Sequence, residues 1–120
     1  MDLNRLTEIF KVDENVRYIG VIDRSDAVLF SKMREEIASV NPEHTDDETL
    51  SIYPPLIMRA AERMQPMFGD VQAIGIRYRN LLLAFYRVNE ILVIVSLNPV
   101  PIAPLLTFRI GEEIRKVLHG

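Results

Sequence analysis

The stretch that decides the fold is VQAIGIRYRNLLLAFYRVNEILVIVSL, residues 71–97. It reads as three strands, Val71–Tyr78, Leu81–Val88 and Ile91–Leu97, rich in the β-branched and aromatic residues that suit a pleated surface. Between them lie Arg79-Asn80 and Asn89-Glu90, the length of tight hairpin turns, in which Asn accepts positive φ. Such turns fix the register. One face then carries Ile74, Ile76, Tyr78, Leu81, Leu83, Phe85, Leu92 and Ile94. The other carries Ala73, Gly75, Leu82, Ala84, Tyr86, Val88, Ile91, Val93 and Val95. A sheet apolar on both faces must be covered on both. Gly75 opposite Ala84 leaves a shallow strip on the second face, where a helix can approach closely.

The flanking sequence supplies the cover. Downstream, the proline-rich bend Asn98–Pro104 leads to Leu106, Ile110, Ile114, Val117 and Leu118 at helical spacing, with Arg109, Glu112, Glu113 and Lys116 outward. Gly111 inside that helix costs about 1 kcal/mol relative to Ala, which predicts a close packing contact. Upstream, residues 51–68 read as the main helix. Pro54 and Pro55 are tolerated near its start, where N–H groups lack intrahelical partners. Ile57, Ala60, Ala61 and Met64 mark its inner face, Arg59, Glu62 and Arg63 its outer one, and Pro66 and Gly69 end it. Leu3, Leu6, Ile9 and Phe10 place a short helix at residues 2–11. Val16–Ile22 and Ala27–Lys32 form a hairpin about Asp23-Arg24-Ser25-Asp26, whose Asp and Ser side chains bond nearby backbone. Over residues 33–50 the pattern dissolves: Met33–Ile37 fits a helical turn, Asn41-Pro42 ends anything regular, and Glu43 and Asp46-Asp47-Glu48 make an acidic loop expected to be mobile. The element order is α-β-β-α-β-β-β-α, an α+β fold.

Composition narrows the setting. The 120 residues suit one domain, 1–120, with a core that needs no staples. The absence of cysteine excludes disulfides and thiolate chemistry and fits a reducing compartment. A net charge of −3 argues against nucleic acid as partner. The N-terminus lacks the apolar core of a signal peptide, and no apolar run approaches a membrane span. A cytoplasmic protein is expected.

The residues that carry chemistry do not assemble. His44 and His119 are far apart and have no second ligand at metal spacing. Asp46-Asp47-Glu48 lacks the glycine and alternating oxygens of a calcium loop. Ser25, Ser31, Ser39, Ser51 and Ser96 lack a nucleophile elbow, and the glycines do not cluster into a phosphate cradle. The acid pairs Glu35/Glu36 and Glu112/Glu113 point apart on helical segments and read as solubilising charge. No catalytic, cofactor or metal site is expected, and the chain is read as non-enzymatic. Arg77, Tyr78, Arg79, Tyr86 and Arg87 invite an RNA-stacking interpretation, yet the register splits the two tyrosines between faces. Both are expected in the core. Met58, Met64 and Met67, with Phe68, fit a soft interface and ordinary core filling about equally well.

The run Val16-Arg17-Tyr18-Ile19-Gly20-Val21-Ile22-Asp23, the paired strands Leu81–Leu97 and the helix from Leu105 together resemble the roadblock family of dynein light-chain-like proteins. That family is close in fold to longin and profilin-like domains. The chain looks closer still to small single-domain archaeal proteins of this type, to which no activity is assigned. These have a similar segment to Met33-Arg34-Glu35-Glu36-Ile37 after the hairpin and to Leu92-Val93-Ile94-Val95-Ser96 before the last helix. The resemblance implies a five-stranded antiparallel sheet of order 2-1-5-4-3. It also implies a homodimer through the main helix and third strand, with paired helices facing small GTPases or other protein partners. The long acidic segment Met33–Ser51 departs from the family pattern and sits beside that surface.

In that order Val71–Arg79 is an edge strand. It has no proline or inward charge over Val71–Ile76 to block a second chain. Arg77, Arg79 and the acidic loop are the features that could guard it. The expected interface comprises Tyr53, Met58, Arg59, Glu62, Arg63, Met67, Gln72, Ile74, Ile76 and Arg77. A scaffold or small-GTPase regulator is the leading reading. The alternative is a small-molecule sensor with its ligand between sheet and main helix, beside Gly75 and Ala84.

Overall fold

A computed structural model describes residues 2–35, 53–101 and 103–119. Most of the acidic loop, with His44 and Asp46-Asp47-Glu48, lies outside the described residues. A 3-10 turn Leu3–Glu8 runs into a helical turn Ile9–Val12, together α1. The strands β1 (Val16–Ile22) and β2 (Val28–Met33) follow. Next come α2 (Tyr53–Glu62) and the short α3 (Gln65–Phe68). The strands β3 (Ile74–Arg77), β4 (Leu82–Val88) and β5 (Ile91–Leu97) precede α4 (Ala103–His119). The sheet is antiparallel with order β2-β1-β5-β4-β3.

The hairpin registers are those the two-residue turns dictate. Ile76 lies opposite Leu83 and Val88 opposite Ile91. Asn89 takes φ +54°, as the second turn requires. Asn80 does not, because the first turn is closed by Tyr78 N–H donating to the Leu81 carbonyl without positive φ. In the first hairpin, Asp23 Oδ1 accepts the amides of Ser25 and Ala27, and Asp26 takes φ +65°.

Two cores result, one on each face. Leu82, Ala84, Tyr86, Val93 and Val95 pack under α1 and α4 with Leu6, Ile9, Ile110 and Ile114. Phe85, Leu92 and Ile94 pack with Tyr18, Ile22 and Met58 of α2. Gly111 makes the close approach its position predicts: a Cβ there would lie 2.7 Å from the Tyr86 ring. The Tyr86 hydroxyl beneath it donates to the Thr107 carbonyl at 2.6 Å, and burial pushes its phenol well above the ordinary range.

The main helix differs from its sequence reading. It breaks at Arg63–Met64, where Arg63 and Met64 donate three residues back to Ala60 and Ala61. Pro66 explains the break, since it has no N–H for the Glu62 carbonyl and its ring would collide with that carbonyl. The buried residues of α2 are Pro54, Pro55 and Met58, with Ile57 and Ala61 half-buried. Ala60 and Met64, expected inside, are exposed. Glu62, expected outside, is half-buried in a two-pronged pair with Arg87, at 3.1 and 3.2 Å. Tyr78 is a second correction. It is 54% exposed, because β3 ends at Arg77 and the tyrosine sits in the turn beyond the ladder. Tyr86 alone of that pair is in the core.

Candidate protein interface

The edge strand β3 is the first component. Tyr78 and Leu81 form a bonded pair, and bonded pairs alternate along an antiparallel ladder. Ile76 and Ile74 therefore bond to β4, while Gly75 and Arg77 turn their amide groups away from it. Arg77 does not shield this edge, because its guanidinium donates to the Val100 carbonyl at 2.7 Å across the proline-rich bend. At the other end Arg115 donates to the Gln72 carbonyl at 2.9 Å, tying the strand to α4.

The helices α2 and α3 supply the second component. Tyr53, Leu56, Met64, Met67 and Phe68 are all exposed, with Met67 and Phe68 at 70% and 74%. Tyr53 and Leu56, three residues apart, share a face of α2, and Met64, Met67 and Phe68 carry the exposed apolar row past the break into α3, which together make the α2–α3 stripe. Gly69, at φ +86°, stops α3 by donating to the Gln65 carbonyl, and the Gln65 side chain accepts the Val71 amide at 3.1 Å. The chain thus passes from the stripe into β3 through a pinned turn. The methionines divide: Met64 and Met67 are surface, Met58 is core.

Among the expected interface residues, Tyr53, Arg59, Arg63, Met67, Gln72 and Arg77 are exposed. Arg59 pairs with Asp26 at 3.0 Å. Ile74 and Ile76 are half-buried toward α2. Met58 is fully buried against the sheet, so it holds α2 from beneath and offers a partner no surface. Glu62 is committed to Arg87. Leu56 and Tyr78 are exposed apolar groups that the sequence did not mark for the interface, while Met64 and Phe68, balanced there between interface and core, are exposed. The helix break at Pro66 was the available signal for Met64 and Phe68, because it turns them off the inner face.

The space beside Gly75 lies elsewhere than expected. Gly75 and Ala84 face α4, not the main helix. Beneath α2, Met58 packs on Phe85, Leu92 and Ile94. The crevice at Pro55 and Arg59 measures about 110 Å³, short of the roughly 300 Å³ of a ligand pocket. A charged cleft of about 340 Å³ at Glu62, Gln65 and Arg87 lies away from Gly75 and Ala84. Between β3 and α4 there is an open cleft of about 650 Å³. Ala73, Gly75 and Leu82 floor it, and Pro104, Thr107 and Phe108 wall it.

Among the described residues no group of three or more His, Asp or Glu could hold a metal ion. No helix among them is long and apolar enough to cross a membrane.

No protein-family model and no curated protein matches the sequence. Solved structures do match the fold. A Roadblock/LC7 domain from Streptomyces avermitilis superposes with a TM-score of 0.67 at 12% identity, over 100% of both chains. The gliding protein MglB from Thermus thermophilus gives 0.68 at 18% identity, over 96% of this chain and 86% of its own. An MglB with tetrameric arrangement gives 0.65 at 18% identity, over 92% and 88%. At such identities the likeness establishes the roadblock fold and nothing finer.

Proposed function

We propose that this roadblock-fold chain is a non-enzymatic homodimeric interaction module, of the scaffold or small-GTPase-regulator kind. One observation carries the reading: an exposed apolar stripe on α2–α3 leads directly into an open sheet edge at β3. A four-residue strand pairing alone buries too little, since stable interfaces remove roughly 1,200–2,000 Å² from water. Tyr53, Leu56, Met64, Met67 and Phe68 supply the additional area that two copies need. The assembly of an MglB as a tetramer, in the same fold, is consistent with an oligomeric role.

The outward amides set the register of such a dimer. Pairing of Gly75 with its own copy across a two-fold axis places residue 73 opposite residue 77 on either side. Arg59 and Arg63, both exposed, then remain for a further protein partner. Light scattering tests the core of the proposal. A species of twice 13.8 kDa is expected at concentrations on the order of tens of micromolar. A strict monomer there would overturn it. Titration with a small GTPase in its GDP and GTP-analogue forms tests the partner class, and equal failure of both forms would leave only the scaffold.

A further inference from the structure

We propose that the cleft between β3 and α4 is a binding site for a small, largely apolar monocarboxylate, held by Arg77 at its rim. The volume, about 650 Å³, lies inside the roughly 300–1,000 Å³ range of small-molecule sites. Its chemistry also has the composition of such sites, apolar walls with a few convergent polar groups. Phe108 offers a half-open ring face and Pro104 a flat apolar wall.

Gly75 makes the space. A Cβ built there would meet nothing nearer than the Thr107 side chain at 4.0 Å, so the floor is lowered without any helix pressing into it. Contrast Gly111, where the missing Cβ is filled by the Tyr86 ring. One glycine is occupied by packing and the other is not. The Thr107 hydroxyl faces the open one and can orient a polar atom of the ligand.

Charge selects the ligand's class. No carboxylate lines the cleft among the described residues. Arg77 gives one N–H to the Val100 carbonyl, and no described carboxylate pairs with it. Of five guanidinium donors, the rest can take a carboxylate, in the two-pronged geometry that arginine favours.

Shape selects a compact ligand over a peptide. Arg77 and Gln72 both line the cleft, and each is tied across: Arg77 to the Val100 carbonyl and the Gln72 carbonyl to Arg115 of α4. A chain running through would have to break both ties. A molecule of one or two rings, or a short acyl chain, needs to break neither.

The test uses 2-naphthoate and uncharged 2-naphthamide, followed by calorimetry and by amide shifts in nuclear magnetic resonance spectra of the full chain. Saturable binding of the acid is expected, with shifts centred on Gly75, Thr107 and Phe108. Gly75→Leu should weaken both probes by roughly tenfold or more by filling the floor. Arg77→Gln should weaken the acid by roughly tenfold and leave the amide unchanged. Circular dichroism of both variants checks that the fold persists, and Thr107→Val provides a second variant with lowered acid affinity should Gly75→Leu misfold. Failure to saturate by about 5 mM overturns the proposal, as do shifts confined to the α2–α3 stripe. Equal loss of acid and amide in Arg77→Gln overturns the carboxylate assignment. Light scattering on the same samples reports the dimer independently, so a dimer that ignores both probes sinks this inference alone.

Discussion

At the scale of single residues, the Tyr86–Gly111 contact leaves no room for a side chain and makes two predictions. On intrinsic propensity, Gly111→Ala would stabilise α4 by about 1 kcal/mol. Here the new methyl would sit 2.7 Å from the Tyr86 ring, which is fixed below by its bond to the Thr107 carbonyl. Overpacking of this kind costs about 1–3 kcal/mol, so the net change should be destabilising. Urea denaturation decides the sign. The buried phenol gives the second prediction. Its folded pKa is raised above the unfolded value by burial, with nearby Arg115 opposing. Below the unfolded value of about 10 both states are protonated and stability is unaffected. Above it the unfolded chain ionises first, so stability falls as pH rises. Tyr86→Phe should abolish that share of the alkaline loss, while costing about 1 kcal/mol at neutral pH for the missing hydrogen bond. Parallel slopes for the two proteins between pH 9.5 and 11 would contradict this, a window set around the reference value of about 10.

At the scale of elements, Arg34 shows how much of the assembly rests on one side chain. Just past β2, its guanidinium donates to the carbonyls of Val16, Phe10 and Asp13 at 2.6–2.8 Å and lies over the Phe10 ring at 5.2 Å. It therefore joins α1, β1 and β2 at the point where α1 ends. Arg34→Lys keeps the charge but loses the planar fork, so a cost of about 2–3 kcal/mol is expected. A midpoint unchanged in chemical denaturation would show that the carbonyls find other donors. Nothing in the sequence announced this contact, since an arginine after a strand has no periodic signature. The Glu62–Arg87 pair was hidden for the same reason: charge reads as surface until a strand brings its opposite underneath. What was legible was periodic. Two-residue turns set the β3–β4–β5 register, and that register put Leu82, Ala84, Tyr86, Val88, Ile91, Val93 and Val95 on one face and Phe85, Leu92 and Ile94 on the other, as found. The inner face of α2 was misread because a stripe drawn through residue 64 assumes an unbroken helix. Pro66 breaks it, and the apolar residues beyond the break become the interface candidate instead.

At the scale of the whole molecule, the sheet has two edges, and among the described residues they differ in what stands in the way of a second copy. The β2 edge is guarded: a bulge between Val21 and Ile22 distorts its pairing, and Lys32 stands on the strand. Both devices discourage edge-to-edge addition. The β3 edge has neither over Ile74–Ile76, and Arg77 bends away to Val100. The alternation of bonded pairs then yields a decisive variant. Gly75 points its N–H outward, so Gly75→Pro removes a donor that β4 does not use, at an edge position of the kind where a strand tolerates proline. Ile76→Pro removes a donor that β4 does use. Folding should therefore survive the first change and suffer from the second, with the two read by circular dichroism and thermal melting. In light scattering, Gly75→Pro should be monomeric at concentrations where the unaltered chain is dimeric, because the central bonded pair of the two-fold ladder is gone. A folded Gly75→Pro protein that still dimerises would move the contact off β3 and onto the α2–α3 stripe alone. Phe68→Glu would then become the variant that separates the copies.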